Sequence, residues 1–271
     1  MSGAARVAGV IGWPVAHSRS PMLHGHWLAR YGIDGAYVPL AVAPHALPDA
    51  VRGLYVAGFC GLNVTLPHKV AVMPLCTHVD DAARRIGAVN TLVFGPDGIL
   101  GRNTDGIGFI ASLEAELGAL PPGPALLLGA GGAARAIAAA LLDRGMPVTV
   151  CNRSPDRAAS LAAVLPGVQT LPWDQRARAL PGAGLLVNTT QLGMAGQPAL
   201  DLPLANAAPG LVVADIVYVP LETPLLQAAR AHGLRTVGGI GMLLHQAAPG
   251  FAAWFGVMPT VDQALQDAVL A

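Results

Sequence analysis

Apolar residues along this chain fall into short runs separated by glycine, proline and polar clusters, the pattern of buried strands punctuated by turns. Arg6–Ile11 reads as a first strand, turned by Gly12-Trp13-Pro14. Ser20-Pro21 opens a helix to about Tyr31, with Ser20 as the expected N-cap and Pro21 in the first helical position. Ala36–Val42 is a second strand, and Pro44 starts a helix ending near Gly58. Gly61–Thr65 is a third strand, followed by Pro67 and Lys69. A helix over Asp80–Ile86 precedes two strands, Thr91–Phe94 and Ile99–Arg102, which bracket the hairpin signature Gly95-Pro96-Asp97-Gly98. Asn103-Thr104-Asp105-Gly106 closes this first α/β unit and leads to a helix over Gly108–Leu117. Pro121-Pro122-Gly123-Pro124 then reads as a rigid linker.

The second half repeats the alternation. Strands are expected at Ala125–Leu128, Val148–Cys151, near Gln169, Leu185–Asn188, Leu211–Ala214 and Thr236–Val237, the strand count of a dinucleotide-binding sheet. Gly241–Ala271 no longer alternates with strands and reads as helical, able to return to the first unit. Between the first of these strands and its helix, roughly Ala133–Arg144, lies Gly129-Ala130-Gly131-Gly132-Ala133-Ala134. Gly129 suits the tight turn, Gly131 lets a pyrophosphate approach bare backbone, and Ala134 is the small third position of G-x-G-x-x-G/A. The helix start would aim free N–H groups and its positive dipole end at phosphates. A glycine turn with no ligand is the plainer alternative, but the strand before and the helix after favour the dinucleotide.

Composition narrows the classes. Hydrophobic residues make up 53% and charged residues 12% of the 271 positions, which suits a large folded core rather than a disordered chain. Sixteen basic and sixteen acidic residues cancel, so no global charge draws in nucleic acid or a membrane surface. Cys60, Cys76 and Cys151 show neither zinc spacing nor a disulfide framework, which points to a reducing cytoplasm. Val7–Val15 is mostly apolar but broken by Pro14, and reads as a strand rather than an export signal. The apolar run Leu126–Leu142 is interrupted by glycines and Arg135, so no membrane span is expected.

In NAD sites an acidic residue at the second strand's tip holds the ribose diol. Here the tip is Cys151-Asn152-Arg153-Ser154, with Arg157 a turn further. Two guanidiniums and two hydrogen-bonding side chains suit a 2′-phosphate, so NADP is expected over NAD; Asp156 lies inside the helix start, not at the tip. A solvated, capped helix start is the bland alternative. Outside this half, His17-Ser18-Arg19-Ser20 can hold a carboxylate, and Lys69, Asn90 and Asp105 stand at strand or loop ends. His24 and His26, two apart on a helix, share no face, so no metal site is expected. No HExxH, paired CxxC or G-x-S-x-G motif occurs.

With these stretches, and with Gly87-Ala88-Val89-Asn90-Thr91, Asn188-Thr189-Thr190-Gln191-Leu192-Gly193-Met194, Asp215-Ile216-Val217-Tyr218-Val219-Pro220 and Gly239-Ile240-Gly241-Met242-Leu243-Leu244-His245-Gln246 in order, the chain resembles the shikimate dehydrogenase family. The resemblance implies an amino-terminal α/β substrate domain (1–104), a Rossmann-type doubly wound NADP-binding domain (105–238) and carboxy-terminal helices (239–271) returning to the first domain. It implies NADPH-dependent, reversible reduction of 3-dehydroshikimate to shikimate in aromatic amino-acid biosynthesis. Lys69 and Asp105 match the catalytic dyad. Ser18, Ser20 and Tyr218 match the carboxylate grip, and Thr65, Lys69, Asn90, Asp105 and Gln246 match contacts to ring hydroxyls. Gly129, Ala130, Gly131, Gly132, Ala133, Asn152, Arg153, Ser154, Arg157, Thr189, Gly239 and Met242 match the cofactor site. Trp13 stands at a variable position, and Gln191 replaces a frequent serine. A quinate or dual quinate/shikimate dehydrogenase is the nearest rival; it often uses NAD, with an acidic strand tip, and a threonine in place of the second serine. A silent NADP-binding sensor would not need Lys69 and Asp105. The expected partner is the small-molecule substrate, with the protein a monomer or homodimer.

Overall fold

The computed structural model describes all 271 residues, Met1–Ala271. They form two compact units, Met1–Thr104 with Leu244–Ala271, and Asp105–Leu243.

The first unit is built on β1 (Arg6–Gly12), β2 (Gly35–Ala41), β3 (Gly61–Val64), β4 (His78–Val79), β5 (Thr91–Gly95) and β6 (Gly98–Arg102), in the order β2-β1-β3-β5-β6-β4. β1 pairs parallel with β2 and β3, while β5 runs antiparallel to both β3 and β6. The β5–β6 hairpin closes as its glycines imply: Gly95 pairs with Gly98, whose φ is +108°. Helices α1 (Ser20–Arg30), α2 (Leu47–Val56) and α3 (Asp81–Ile86) fill the connections. The stretch from Pro44 is not one helix: Pro44–Ala46 is a 3-10 turn that leads into α2.

The expected cap of α1 is corrected. Arg19 already holds helical angles (φ −87°, ψ −2°), so it is the N-cap residue and Ser20 lies inside the helix. Ser18 supplies the acceptor, its Oγ taking the Ser20 N–H at 3.3 Å. Ser20 itself is buried.

The second unit contains α4 (Asp105–Leu117), β7 (Ala125–Leu128), α5 (Gly132–Asp143), β8 (Val148–Asn152), α6 (Pro155–Val164), β9 (Val168–Pro172), β10 (Leu185–Asn188), β11 (Val212–Asp215), α7 (Pro224–Ala231) and β12 (Arg235–Val237). Its six strands are all parallel, in the order β12-β11-β10-β7-β8-β9. Numbered within the unit this is 3-2-1-4-5-6 read from the other edge, the order of a doubly wound dinucleotide fold. β7, β10 and β11 are buried at every residue, as strands covered on both faces must be. α4 starts at Asp105 rather than Gly108, with an acidic residue in the positive first turn. A Cβ on Gly106 would lie 2.7 Å from the Ala136 carbonyl, so this glycine lets α4 and α5 approach.

Helix α8 (Gly239–Phe255) begins in the second unit, and after Leu243 its residues belong to the first. The carboxy-terminal stretch is not continuously helical: Gly256 takes φ +81°, and α9 (Gln263–Leu270) starts only after an Asp262 cap. In the first unit Trp27, Phe251 and Trp254 are fully buried, each large ring contributing about 1.5–3 kcal/mol or more by leaving water. Trp254 Nε1 donates to the Leu92 carbonyl at 2.9 Å, which ties α8 to β5. No helix is long and apolar enough to cross a membrane.

Candidate active site

In the first unit Asn90, which is 2% exposed, lies in a buried polar network with the candidate residue Gln246. Its Nδ2 donates to Thr104 Oγ1 at 2.9 Å and to Gln246 Oε1 at 3.2 Å. Its Oδ1 accepts from the Thr104 N–H and the Thr91 hydroxyl, both at 2.9 Å. Thr104 Oγ1 in turn donates to the Gln246 carbonyl at 2.8 Å. Buried polar atoms are costly unless satisfied, so these bonds hold Asn90 and Gln246 in fixed orientations. Lys69 joins through backbone: its carbonyl accepts the Val89 N–H at 2.7 Å, next to Asn90. The Thr65 carbonyl accepts the His68 N–H at 2.9 Å and so shapes the turn that carries Lys69. His68 is buried, with Nε2 2.7 Å from the Val42 carbonyl, and serves the fold.

Sequence reasoning missed Tyr37, which extends this cluster. Tyr37 Oη donates to Asn63 Oδ1 at 2.6 Å, and Asn63 Nδ2 donates to the Asn90 carbonyl and to Thr91 Oγ1, each at 3.3 Å. Burial pushes the Tyr37 phenol well above its ordinary pKa, and the facing Ser20 hydroxyl pulls weakly the other way. One polar path therefore runs Tyr37, Asn63, Asn90, Gln246. Tyr37 carried no signal of its own, since a lone tyrosine in an alternating strand reads as packing.

The second unit holds Asp105, Tyr218 and every candidate cofactor residue. Asp105 is buried and follows Thr104 directly. Gly129 takes φ +114°, and a Cβ there would lie 2.5 Å from Thr189 Oγ1. That hydroxyl and the Thr189 N–H both donate to the Leu128 carbonyl, at 2.7 and 2.9 Å, so Thr189 and the glycine turn are one structure. Gly131 is different: a Cβ there would meet nothing within 4 Å. Internal packing does not require this glycine, so its bareness is available to something outside. It caps α5, which has no side-chain cap, leaving its first-turn N–H groups for an anion. The second-strand tip follows the same logic. Ser154 is the N-cap residue of α6 but makes no side-chain cap bond. Asn152 Nδ2 donates to the Ser154 carbonyl at 2.9 Å, folding the tip, while Arg153 and Arg157 stand exposed. Arg135, which the sequence reading did not weigh, reaches from α5 to Ser160 Oγ at 3.1 Å, one turn of α6 beyond Arg157. These donors fit a phosphorylated dinucleotide, and no carboxylate stands at the tip to hold a bare ribose diol. Gly239 also has an internal reason, since a Cβ there would run into the Ile216 carbonyl. Met242 is buried, and Tyr218 is half-buried in the loop after β11.

Fold and glycine turn together define a two-unit α/β protein whose second unit is a Rossmann-type dinucleotide fold. Residues 10–92 match the model of the shikimate dehydrogenase substrate binding domain, and residues 113–193 that of shikimate / quinate 5-dehydrogenase. A relative from Acidiphilium cryptum named shikimate dehydrogenase (NADP(+)) is 64% identical over 271 residues, covering 100% of this chain and 98% of its own. The crystal structure of shikimate 5-dehydrogenase from Thermus thermophilus with NADP(H) and shikimate superposes with a TM-score of 0.88 at 40% identity, over 98% of each chain. Quinate dehydrogenase from Corynebacterium glutamicum with NAD superposes with a TM-score of 0.90 at 31% identity, over 98% of this chain and 99% of its own. The chain belongs to the shikimate dehydrogenase family.

Proposed function

We propose that this protein catalyses the reversible, NADP-linked reduction of 3-dehydroshikimate to shikimate. The observation that carries the reading is the end-to-end, 64% identity to a relative named for that reaction. The site chemistry supports it. A polyhydroxy acid needs a carboxylate grip and several donors and acceptors held in register. Ser18 and Ser20 at the start of α1, with Tyr218, take the carboxylate. Thr65, Asn90 and Gln246 take ring hydroxyls, oriented by the bonds of Asn90 to Thr104 and Gln246. Residues 1–104 form the substrate domain, 105–238 the cofactor domain, and the helices from 239 onward complete the first. The glycine turn from Gly129 to Ala133, with Thr189, Gly239 and Met242, holds the dinucleotide. Asn152, Arg153, Ser154 and Arg157 hold its 2′-phosphate.

When bound, NADPH supplies the hydride for the forward reaction and NADP+ accepts it in reverse. The chain's own task is the proton. An oxyanion that develops on the reacting ring oxygen is costly away from water unless a cation or proton donor sits beside it. Lys69 Nζ fills that role, with Asp105 as the second member of the dyad that the family resemblance implies. The two are one titrating dyad, so the proton belongs to the pair rather than to either residue. The reaction takes place in the cytoplasm, where Cys60, Cys76 and Cys151 stay free thiols.

The test is a four-way steady-state assay of the purified protein: shikimate or quinate, each with NADP+ or NAD+. Shikimate with NADP+ is expected to give the highest kcat/KM. Preference for quinate with NAD+ would assign the rival activity, and turnover in no pairing would leave a binding protein.

A further inference from the structure

The carboxyl ends of β10 and β11 carry two buried polar residues that the scheme above does not use. Asn188 and Asp215 are direct neighbours in the parallel register, 0% and 2% exposed. Asp215 Oδ1 accepts from Asn188 Nδ2 and from the Val217 N–H, both at 3.0 Å, and Oδ2 accepts from Thr223 Oγ1 at 2.8 Å. Thr223 is itself fully buried and caps α7, its Oγ1 accepting the Leu226 N–H at 3.4 Å. Asn188 works in the same way on the preceding loop. Its Oδ1 accepts from the Thr190 N–H at 3.0 Å and the Thr190 hydroxyl at 2.7 Å, and its Nδ2 also donates to the Leu192 carbonyl at 3.0 Å. The loops are further tied by the Ala195 N–H donating to the Val219 carbonyl at 2.9 Å.

We propose that Asp215 is a positioning residue. Through Asn188 and Thr223 it sets the two loops, 189–194 and 216–223, that carry Thr189, Gln191 and Tyr218 toward the ligands. Asp215 grips the second loop at both ends, Val217 and Thr223, and reaches the first through the single Asn188 side chain. In an open parallel sheet the ligand crevice lies outside the carboxyl ends of the strands, which is where this lock stands. The carbonyl of Ile216, next to Asp215, also abuts Gly239 at the start of α8. Removing the lock takes an acceptor from three donors and frees loop geometry on which turnover depends, where a shift of about 1 Å costs roughly a hundredfold in rate.

The proposal rests on the assigned activity for its kinetic readout, so the test has two arms. In the kinetic arm, Asp215→Ala is expected to lower kcat/KM for shikimate by about ten- to hundredfold per folded molecule. Asp215→Asn, which keeps acceptors for Asn188 and Val217, is expected to recover to within a few-fold of the parent. Leu180→Ala, a fully buried change before the amino end of β10, serves as a control that lowers Tm without removing any hydrogen bond of the lock, and is expected to keep the parental kcat/KM. If Asp215→Ala does not fold, Thr223→Val, which removes the Oδ2 donor, takes its place with an expected loss of several-fold. Parental constants in Asp215→Ala or, where that variant does not fold, in Thr223→Val, or an equal loss in Leu180→Ala, overturn the proposal. The second arm needs no activity: hydrogen exchange on the intact protein is expected to speed up in 189–194 and 216–223 in Asp215→Ala, or in 216–223 in Thr223→Val where Asp215→Ala does not fold, and unchanged exchange there overturns the proposal. If the parent turns over no shikimate, the assigned function fails while the exchange arm still decides the lock.

Discussion

Replacing His24 by phenylalanine is expected to stabilise the first unit and flatten its acid limb. The imidazole is fully buried in α1 and stacked on Tyr37 with ring centroids 4.0 Å apart. Trp27 and Trp254 at 5.6 Å and Phe251 at 5.8 Å, between centroids, complete the shell. Neither ring nitrogen has a hydrogen-bond partner. Burial pulls the pKa from 6.5 down to about 3, and nearby Asn63, outside bonding geometry, opposes this only weakly. The unfolded chain therefore takes up a proton that the folded chain refuses between about pH 6.5 and 3. Stability is present above that window and is lost as pH falls through it. At about pH 4.5, two units below the ordinary value, the loss is about 3 kcal/mol. Phenylalanine has similar bulk and no proton, and it also removes two unsatisfied nitrogens, each worth roughly 1–3 kcal/mol at any pH. Urea unfolding followed by tryptophan fluorescence at pH near 7 and near 4.5 measures both terms. The variant's advantage should widen by about 3 kcal/mol on acidification. An advantage that stays constant between the two pH values would mean that His24 titrates alike in the folded and unfolded chain.

Three further outcomes follow from the site. Gly131→Ala adds a methyl that meets nothing in the protein, so Tm should stay unchanged while KM for NADP rises; an unchanged KM would mean that no ligand lies over this glycine. Arg153→Ala should raise KM for NADP about ten- to hundredfold, the worth of a charge-assisted contact of about 1.5–3 kcal/mol, with activity toward NAD little altered; equal effects on both cofactors would remove Arg153 from the phosphate site. The double change Ser18→Ala with Ser20→Ala should weaken shikimate binding and spare NADP in separate titrations, and a matched loss of both would mark the pair as structural.

Most of the second unit is legible along the chain because parallel strands buried on both faces appear as uninterrupted apolar runs. The runs Ala125–Leu128 and Leu185–Asn188 coincide with strands residue for residue. Short-range chemistry is less decisive. Ser20 reads as a cap because serine before proline usually is one, yet the acceptor is Ser18, a choice set by the backbone angles of Arg19. The 3-10 stretch Trp173–Gly182 and the two-residue β4 have no periodicity to betray them. The candidate site is legible as separate motifs, but not as a network. The bonds joining Tyr37 to Asn63 and Asn90 to Gln246 span 26 and 156 residues, and no local pattern encodes contacts of that range. His24 shows the same limit, since its two-residue spacing from His26 excludes a shared face but says nothing of the aromatic shell around it.

Lys69 is proposed to carry the chemistry in the first unit, with Asp105 as its partner. Steady-state kinetics of Lys69→Ala, Asp105→Asn and the double variant, with shikimate and NADP+, test it most directly. Lys69→Ala should lower kcat by about 10²–10⁴, the usual worth of a positioned acid–base group, with KM for shikimate changed far less. The double variant should lose less than the product of the single losses, as members of one catalytic unit do. A Lys69→Ala enzyme with near-parental kcat and a raised KM would make Lys69 a binding residue and move the proton-transfer role elsewhere.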